Sequence, residues 1–180
     1  MIHPFFRSLG ALAVLAIAVV LTGCAAPANR AAMAPTSIAS TKKMPYSLSV
    51  TASGGSETSA LSGSTISNED LRAAIETSVT QTALFKEVVK GKSGDYELSV
   101  MVVKLTKPMF GGSFTVEMEA GWSLIKASDK SVLLRKPVTS SHTATMGDAL
   151  VGVTRLRLAV EGAAQNNIKQ GLEAIAALDL

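Results

Sequence analysis

Phe114-Thr115-Val116-Glu117-Met118-Glu119-Ala120-Gly121-Trp122-Ser123-Leu124 is the stretch that decides the fold. Successive side chains of a strand point to opposite faces, so apolar residues at every second position form one continuous face. Here Phe114, Val116, Met118, Ala120, Trp122 and Leu124 share that face, and Thr115, Glu117, Glu119, Gly121 and Ser123 share the other. A strand of this kind belongs to an antiparallel sheet with one buried side and one open side.

The neighbours of this strand extend the pattern. Before it, Tyr96, Leu98, Val100 and Val102 line one face of a strand whose other face carries Glu97 and Ser99 and then turns apolar at Met101 and Val103. Pro108-Met109-Phe110-Gly111-Gly112 makes the reversal between the two. After it, Ser128-Asp129-Lys130 is a turn, and Ser131 to Thr145 forms a less regular strand in which Pro137 suits a sheet edge. A further strand, Tyr46 to Thr51, alternates Tyr46, Leu48 and Val50 with small polar residues. The Gly/Ser-rich stretch from Ser53 to Ser64 is too long for a tight turn, and loops of that length are functional or disordered.

Two helices complete the domain. Ser67 caps the first, Asp70 reaches back to it, and Ile66 can staple onto Leu71. Leu71, Ile75, Val79, Thr82 and Phe85 recur at helical spacing, which carries this helix to about Lys86. The second runs from Val153 to Leu178 with Val153, Leu156, Val160, Ile168, Leu172 and Ile175 on one stripe, and Arg155, Arg157 and Glu161 off it. Gly162 and Gly171 each cost ~1 kcal/mol against alanine inside a helix, so they mark close packing on the sheet. The order β-α-β-β-β-α predicts an α+β two-layer sandwich: an antiparallel sheet of about four strands with two helices on one face.

The amino terminus sets the location. Arg7 and the free amine precede an apolar run from Leu9 to Leu21, shorter than the ~20 residues of a spanning helix, and small residues follow. Leu21-Thr22-Gly23-Cys24 resembles the lipobox of bacterial lipoproteins. That resemblance implies a signal peptide over 1–23, a diacylglycerated thiol on Cys24 and an acylated new terminus. It further implies, from Ala25 in place of aspartate, the periplasmic face of the outer membrane. Cys24 is the only cysteine of the chain and so has no partner for an internal disulfide. Residues 24–45, rich in Ala, Pro, Ser and Thr, are expected to be the lipidated cysteine and a flexible tether reaching ~25 Å. Residues 46–180 are expected to form a single periplasmic domain.

Composition narrows the function classes. The 180 residues carry a net charge of only +3, without a basic cluster interleaved with aromatics, so nucleic acid is a poor partner. His142, beside Ser140 and Ser141, is the sole histidine beyond the signal segment, and neither a G-x-S-x-G elbow nor a zinc set accompanies it. Glu117 and Glu119 lie about 7 Å apart on one strand face, a spacing compatible with glycoside hydrolysis but equally that of a solvated strand surface. No catalytic, cofactor or metal site is expected. Met101 and Val103, on the open sheet face, are the expected contact surface for a protein or an acyl chain.

With the lipobox, the tether and this element order, the chain resembles outer-membrane lipoproteins of the LPS-assembly lipoprotein E type and the auxiliary lipoproteins of ABC-type or paraquat-inducible lipid transport. The helix containing Glu161-Gly162-Ala163-Ala164-Gln165-Asn166-Asn167-Ile168 is part of that likeness. The resemblance implies a non-enzymatic, membrane-anchored adaptor of an envelope complex, with lipid or LPS traffic as its setting. The alternatives are a self-sufficient lipid- or glycan-binding lipoprotein, and an envelope hydrolase or acyltransferase using Glu117, Glu119 or His142.

Overall fold

The computed structural model describes residues 25–59 and 62–180, so the lipobox Leu21-Thr22-Gly23-Cys24 lies outside the described residues. A short helix α1 (Arg30–Met33) is followed by strand β1 (Met44–Ser53), helix α2 (Asn68–Thr82) and strands β2 (Phe85–Val89), β3 (Tyr96–Thr106), β4 (Phe114–Lys126) and β5 (Val132–Ala144). A long helix, α3 (Gly152–Ala176), closes the chain. The fold is α+β in two layers, with the sheet order β2-β1-β3-β4-β5.

The alternation in β4 is obeyed residue by residue: Val116, Met118, Ala120, Trp122 and Leu124 are buried beneath the helices, and the intervening residues are not. β3, β4 and β5 form the expected antiparallel meander. β5, with Pro137, is an edge strand.

The sheet differs from expectation in having five strands and mixed direction. The first helix stops at Thr82, because Ala83 turns into the left-handed region with φ 50° and its N–H closes the helix on Val79 and Thr80 carbonyls. Phe85 therefore starts a strand rather than continuing the helical stripe. That strand returns across α2 and pairs parallel with β1, as a strand-helix-strand crossover does. The connection 90–95 then crosses β1, so β3 also pairs parallel with it from the other side. Asp95 ties this crossing down by accepting hydrogen bonds from the Ser47 N–H and hydroxyl at 2.8 and 2.7 Å.

The segment expected as a flexible tether is instead docked. Met33 is fully buried, Ala28 and Ala34 nearly so, and α1 packs on α2 and α3. Polar contacts fix it along its length. The Asn29 N–H donates to Glu161 and the Ala39 N–H to Glu173, both at 2.8 Å, Gln165 donates to the Ala32 carbonyl, and Lys42 reaches the Leu178 carbonyl. The apolar residues that make this strap stick have no periodicity, which is why composition alone reads as a linker. Its presence also corrects the face assignment of α3. Glu161, expected in solvent, is buried under the strap and held by Asn29 and by Arg157 at 2.8 Å. Val153, expected on the core stripe, is exposed.

The capping of α2 follows the sequence signal: the Ser67 hydroxyl accepts from the Asp70 N–H at 3.1 Å and donates to its carboxylate at 2.8 Å. Gly171 lies against the Trp122 indole and Gly162 against the His142 ring, so these two glycines inside α3 sit where a side chain would strike the sheet. Asn167, fully buried between them, accepts from Trp122 Nε1 at 3.0 Å and donates to the Val138 carbonyl at 2.9 Å.

Candidate functional surfaces

The helices cover one face of the sheet and leave the other open. Across the middle of that open face run four paired residues, Ser53, Met101, Gly121 and Pro137. Gly121 has no side chain and nothing stands within 4 Å of where one would begin, so the face carries a dip there. The result is an open groove of about 420 Å³ with Met101, Val103 and Pro137 as apolar walls and Ser99, Ser123 and Arg135 as polar ones. Met101 and Val103 are 52% and 56% exposed, the exposure their break in alternation implied. The pairing of β3 with β4 slips by one residue between Val102 and Lys104, which makes Val103 a bulge residue.

The other residues singled out from sequence do not converge. Glu117 and Glu119 lie on the open face, exposed and half-buried respectively, and neither lines this groove. His142 is on the opposite, helix-facing side at the edge strand, its ring over Gly162. Ser140 faces the same way but donates its hydroxyl to the Ala163 carbonyl at 2.8 Å, and Ser141 points to the other face. In the loop that follows β5, Asp148 is turned onto Thr145, accepting from its N–H and hydroxyl, and these bonds hold its carboxyl below the usual range. Among the described residues no cluster of metal-ligating side chains forms, and no helix is long and apolar enough to cross a membrane.

A second surface was not legible as such. The β3–β4 hairpin tip and the loop between β5 and α3 project from the same end of the sheet, since Phe114 pairs with Ala144. Met109, Phe110, Leu150 and Val151 on these loops are 83, 86, 83 and 60% exposed. Buried Arg155 clamps the two loops together, donating to the carbonyls of Ala149 at 2.7 Å, Leu150 at 3.1 Å and Gly111 at 3.4 Å, with its guanidinium over the Phe114 ring. The signal available in sequence was a pair of large apolar residues, Met109-Phe110, inside a Pro/Gly turn where polar residues are usual.

The start of the docked strap reaches this same end. Lys107, next to the hairpin tip, donates to the carbonyls of Ser62 and Ser64 at 2.6 and 2.9 Å, and partial burial there lowers its pKa. The Ser64 hydroxyl in turn donates to the Ala26 carbonyl at 2.8 Å, and the Ala28 N–H to the Thr65 carbonyl at 3.3 Å.

No protein-family model matches the sequence, and no curated protein does either. Solved structures do resemble the fold. Protein XCC0632 of Xanthomonas campestris, a DUF330 protein, matches with a TM-score of 0.52 and 13% identity over 75% of this chain and 83% of its own. The hypothetical protein CT253 of Chlamydia trachomatis matches with a TM-score of 0.54 and 6% identity over 73% of this chain and 96% of its own. Lipoprotein B of Nitrosomonas europaea is a looser match, with a TM-score of 0.48 and 12% identity over 77% of this chain and 88% of its own. At these identities the likeness establishes the fold alone: this chain folds like XCC0632 and CT253.

Proposed function

We propose that the protein is a lipid-anchored envelope protein, non-enzymatic, that acts as an adaptor by docking a protein partner on the open face of its sheet. The observation that carries this reading is the groove at Met101, Val103 and Pro137 over Gly121, in the middle of the open sheet face. An apolar centre with a polar rim of Ser99, Ser123 and Arg135 has the anatomy of a protein interface. A pocket for an acyl chain would enclose most of its ligand between apolar walls, which an open groove does not do. The lipobox supports the membrane address, and the sequence resemblance supports lipid or LPS traffic at the outer membrane as the pathway.

The test is photocrosslinking in intact cells with the reactive group at position 101 or 103, and at Glu117 on the same face as the control. The reading expects one discrete adduct from 101 and 103 that is absent at 117 and disappears with Gly121→Arg, which fills the groove. Equal labelling at all three positions, or no adduct at 101 and 103, would sink it. A discrete lipid adduct in place of a protein one would favour the stand-alone lipid-binding alternative.

A further inference from the structure

We infer that the end of the domain carrying Met109, Phe110, Met146, Leu150 and Val151 seats directly in the surface of the bilayer that holds the Cys24 anchor. The inference rests on the anchoring proposed above and goes beyond it, because an anchor alone leaves the orientation of the domain free.

Three observations lead there. First, the docked strap removes the slack. A free chain of residues 24–45 would let the domain drift ~25 Å from the headgroups. Instead the chain is already fixed to the domain at Ala26, through Ser64 and the Ala28–Thr65 bond. Two residues of extended chain span at most about 7 Å, so an anchor on Cys24 is tied to the fixed point by no more than that length of chain. Acyl chains on its thiol and amine then hold this end of the domain at the headgroup level.

Second, that end is the apolar one. Among the described residues, six of the nine exposed large apolar side chains, the five named and Val153, belong to the hairpin tip, the loop after β5 and the first turn of α3. Single exposed apolar residues are ordinary, whereas a cluster at one end of a molecule marks a contact. Residues such as Met, Phe and Leu at loop tips suit burial ~5–10 Å into the headgroup and acyl boundary.

Third, the tips are braced for the task. Arg155 spends its guanidinium on three loop carbonyls and the Phe114 ring, so the two loops move as one unit. The opposite end of the sheet, at the β4–β5 turn, is a β-strand's length away. Thirteen residues at ~3.4 Å put it about 40 Å off, and its turn carries Asp129 and Lys130, with Val132 beside them the exposed large apolar residue at that end among the described residues.

The full chain, expressed with its own leader, extracted from membranes and reconstituted in phosphatidylethanolamine/phosphatidylglycerol vesicles, tests this. Acylation occupies the only native thiol, so an environment-sensitive fluorophore can be placed on Phe110→Cys, Leu150→Cys or the control Ser128→Cys, all exposed positions. The expected result is blue-shifted emission at 110 and 150, quenched by spin-labelled lipid, with 128 quenched only from water. If mass spectrometry confirms the lipid on Cys24 and 110 and 150 are as water-accessible as 128, seating is overturned while anchoring survives. Shielding of 110 and 150 from both quenchers overturns it in favour of a protein occupant, a second copy included. A chain without lipid overturns the anchoring and this inference together.

Discussion

Gly162→Ala and Gly171→Ala are the same substitution in the same helix, and they should have opposite effects on stability. Each gains about 1 kcal/mol of helix propensity. At Gly171 the new Cβ would come within 2.5 Å of Trp122 Cδ2 and closer still to the neighbouring ring atoms, well inside the ~3.5–4.0 Å of ordinary carbon contact. The indole cannot give way: it is 1% exposed and pinned to Asn167 through Nε1. Relief therefore requires α3 to lift from β4, and overpacking a core in this way costs about 1–3 kcal/mol. The net expectation is a loss of up to about 2 kcal/mol. At Gly162 the Cβ would come within 2.8 Å of His142 Nδ1 and closer still to Cγ and Cδ2, as close an approach as at Gly171, but the His142 side chain sits at an exposed edge position and can swing away about its Cα–Cβ bond. Gly162→Ala should gain about 0.5 kcal/mol, the propensity term less a little lost packing. Urea denaturation followed by the emission of the single tryptophan and by circular dichroism measures both. Equal shifts for the two variants, or a stabilised Gly171→Ala, would refute the claim that these glycines are set by what faces them on the sheet.

Met33→Ala should cost about 2–4 kcal/mol because it empties a fully buried site; an unchanged midpoint would restore the flexible-tether reading. Asn167→Leu leaves the Trp122 Nε1–H and the Val138 carbonyl without partners, at about 1–3 kcal/mol each, and a neutral result would contradict that buried network. Hydrogen bonds from Ser47, Ser131 and Thr145 lower the pKa of Asp95, Asp129 and Asp148 respectively. Their contribution is present above the ordinary carboxylate range and is lost as pH falls through the lowered values, below about pH 4. Asp95→Asn should therefore be less stable at pH 7 and show a shallower acid loss; an unchanged acid limb would refute the assignment.

The sequence was most legible where one period governed a long element. The alternation of β4 and the Ser67 cap of α2 translate directly into burial and hydrogen bonding, and Gly162 and Gly171 of α3 meet the sheet as their cost suggested. β2 was hidden because Val79, Thr82 and Phe85 continue a helical spacing while Ala83, without a glycine to advertise it, breaks the helix. The strap was hidden because Ala28, Met33 and Ala34 are apolar but aperiodic, and its docking then buried Glu161, which helical phase alone put in water. The same distinction runs through the surfaces. Met101 and Val103 stood out by breaking an alternation. Met109 and Phe110 sat in a turn, and it is the folded structure that joins that turn, through Lys107 and Ser64, to the start of the strap at Ala26.

Everything proposed about the membrane address and membrane seating depends on the modification of Cys24. Intact-mass analysis of the mature protein, extracted from cell membranes with detergent, measures that directly. The account predicts a chain that begins at Cys24 and carries a diacylglyceryl group on its thiol together with an acylated amine. A mature chain beginning at another residue, or one beginning at Cys24 with a free thiol, would contradict it.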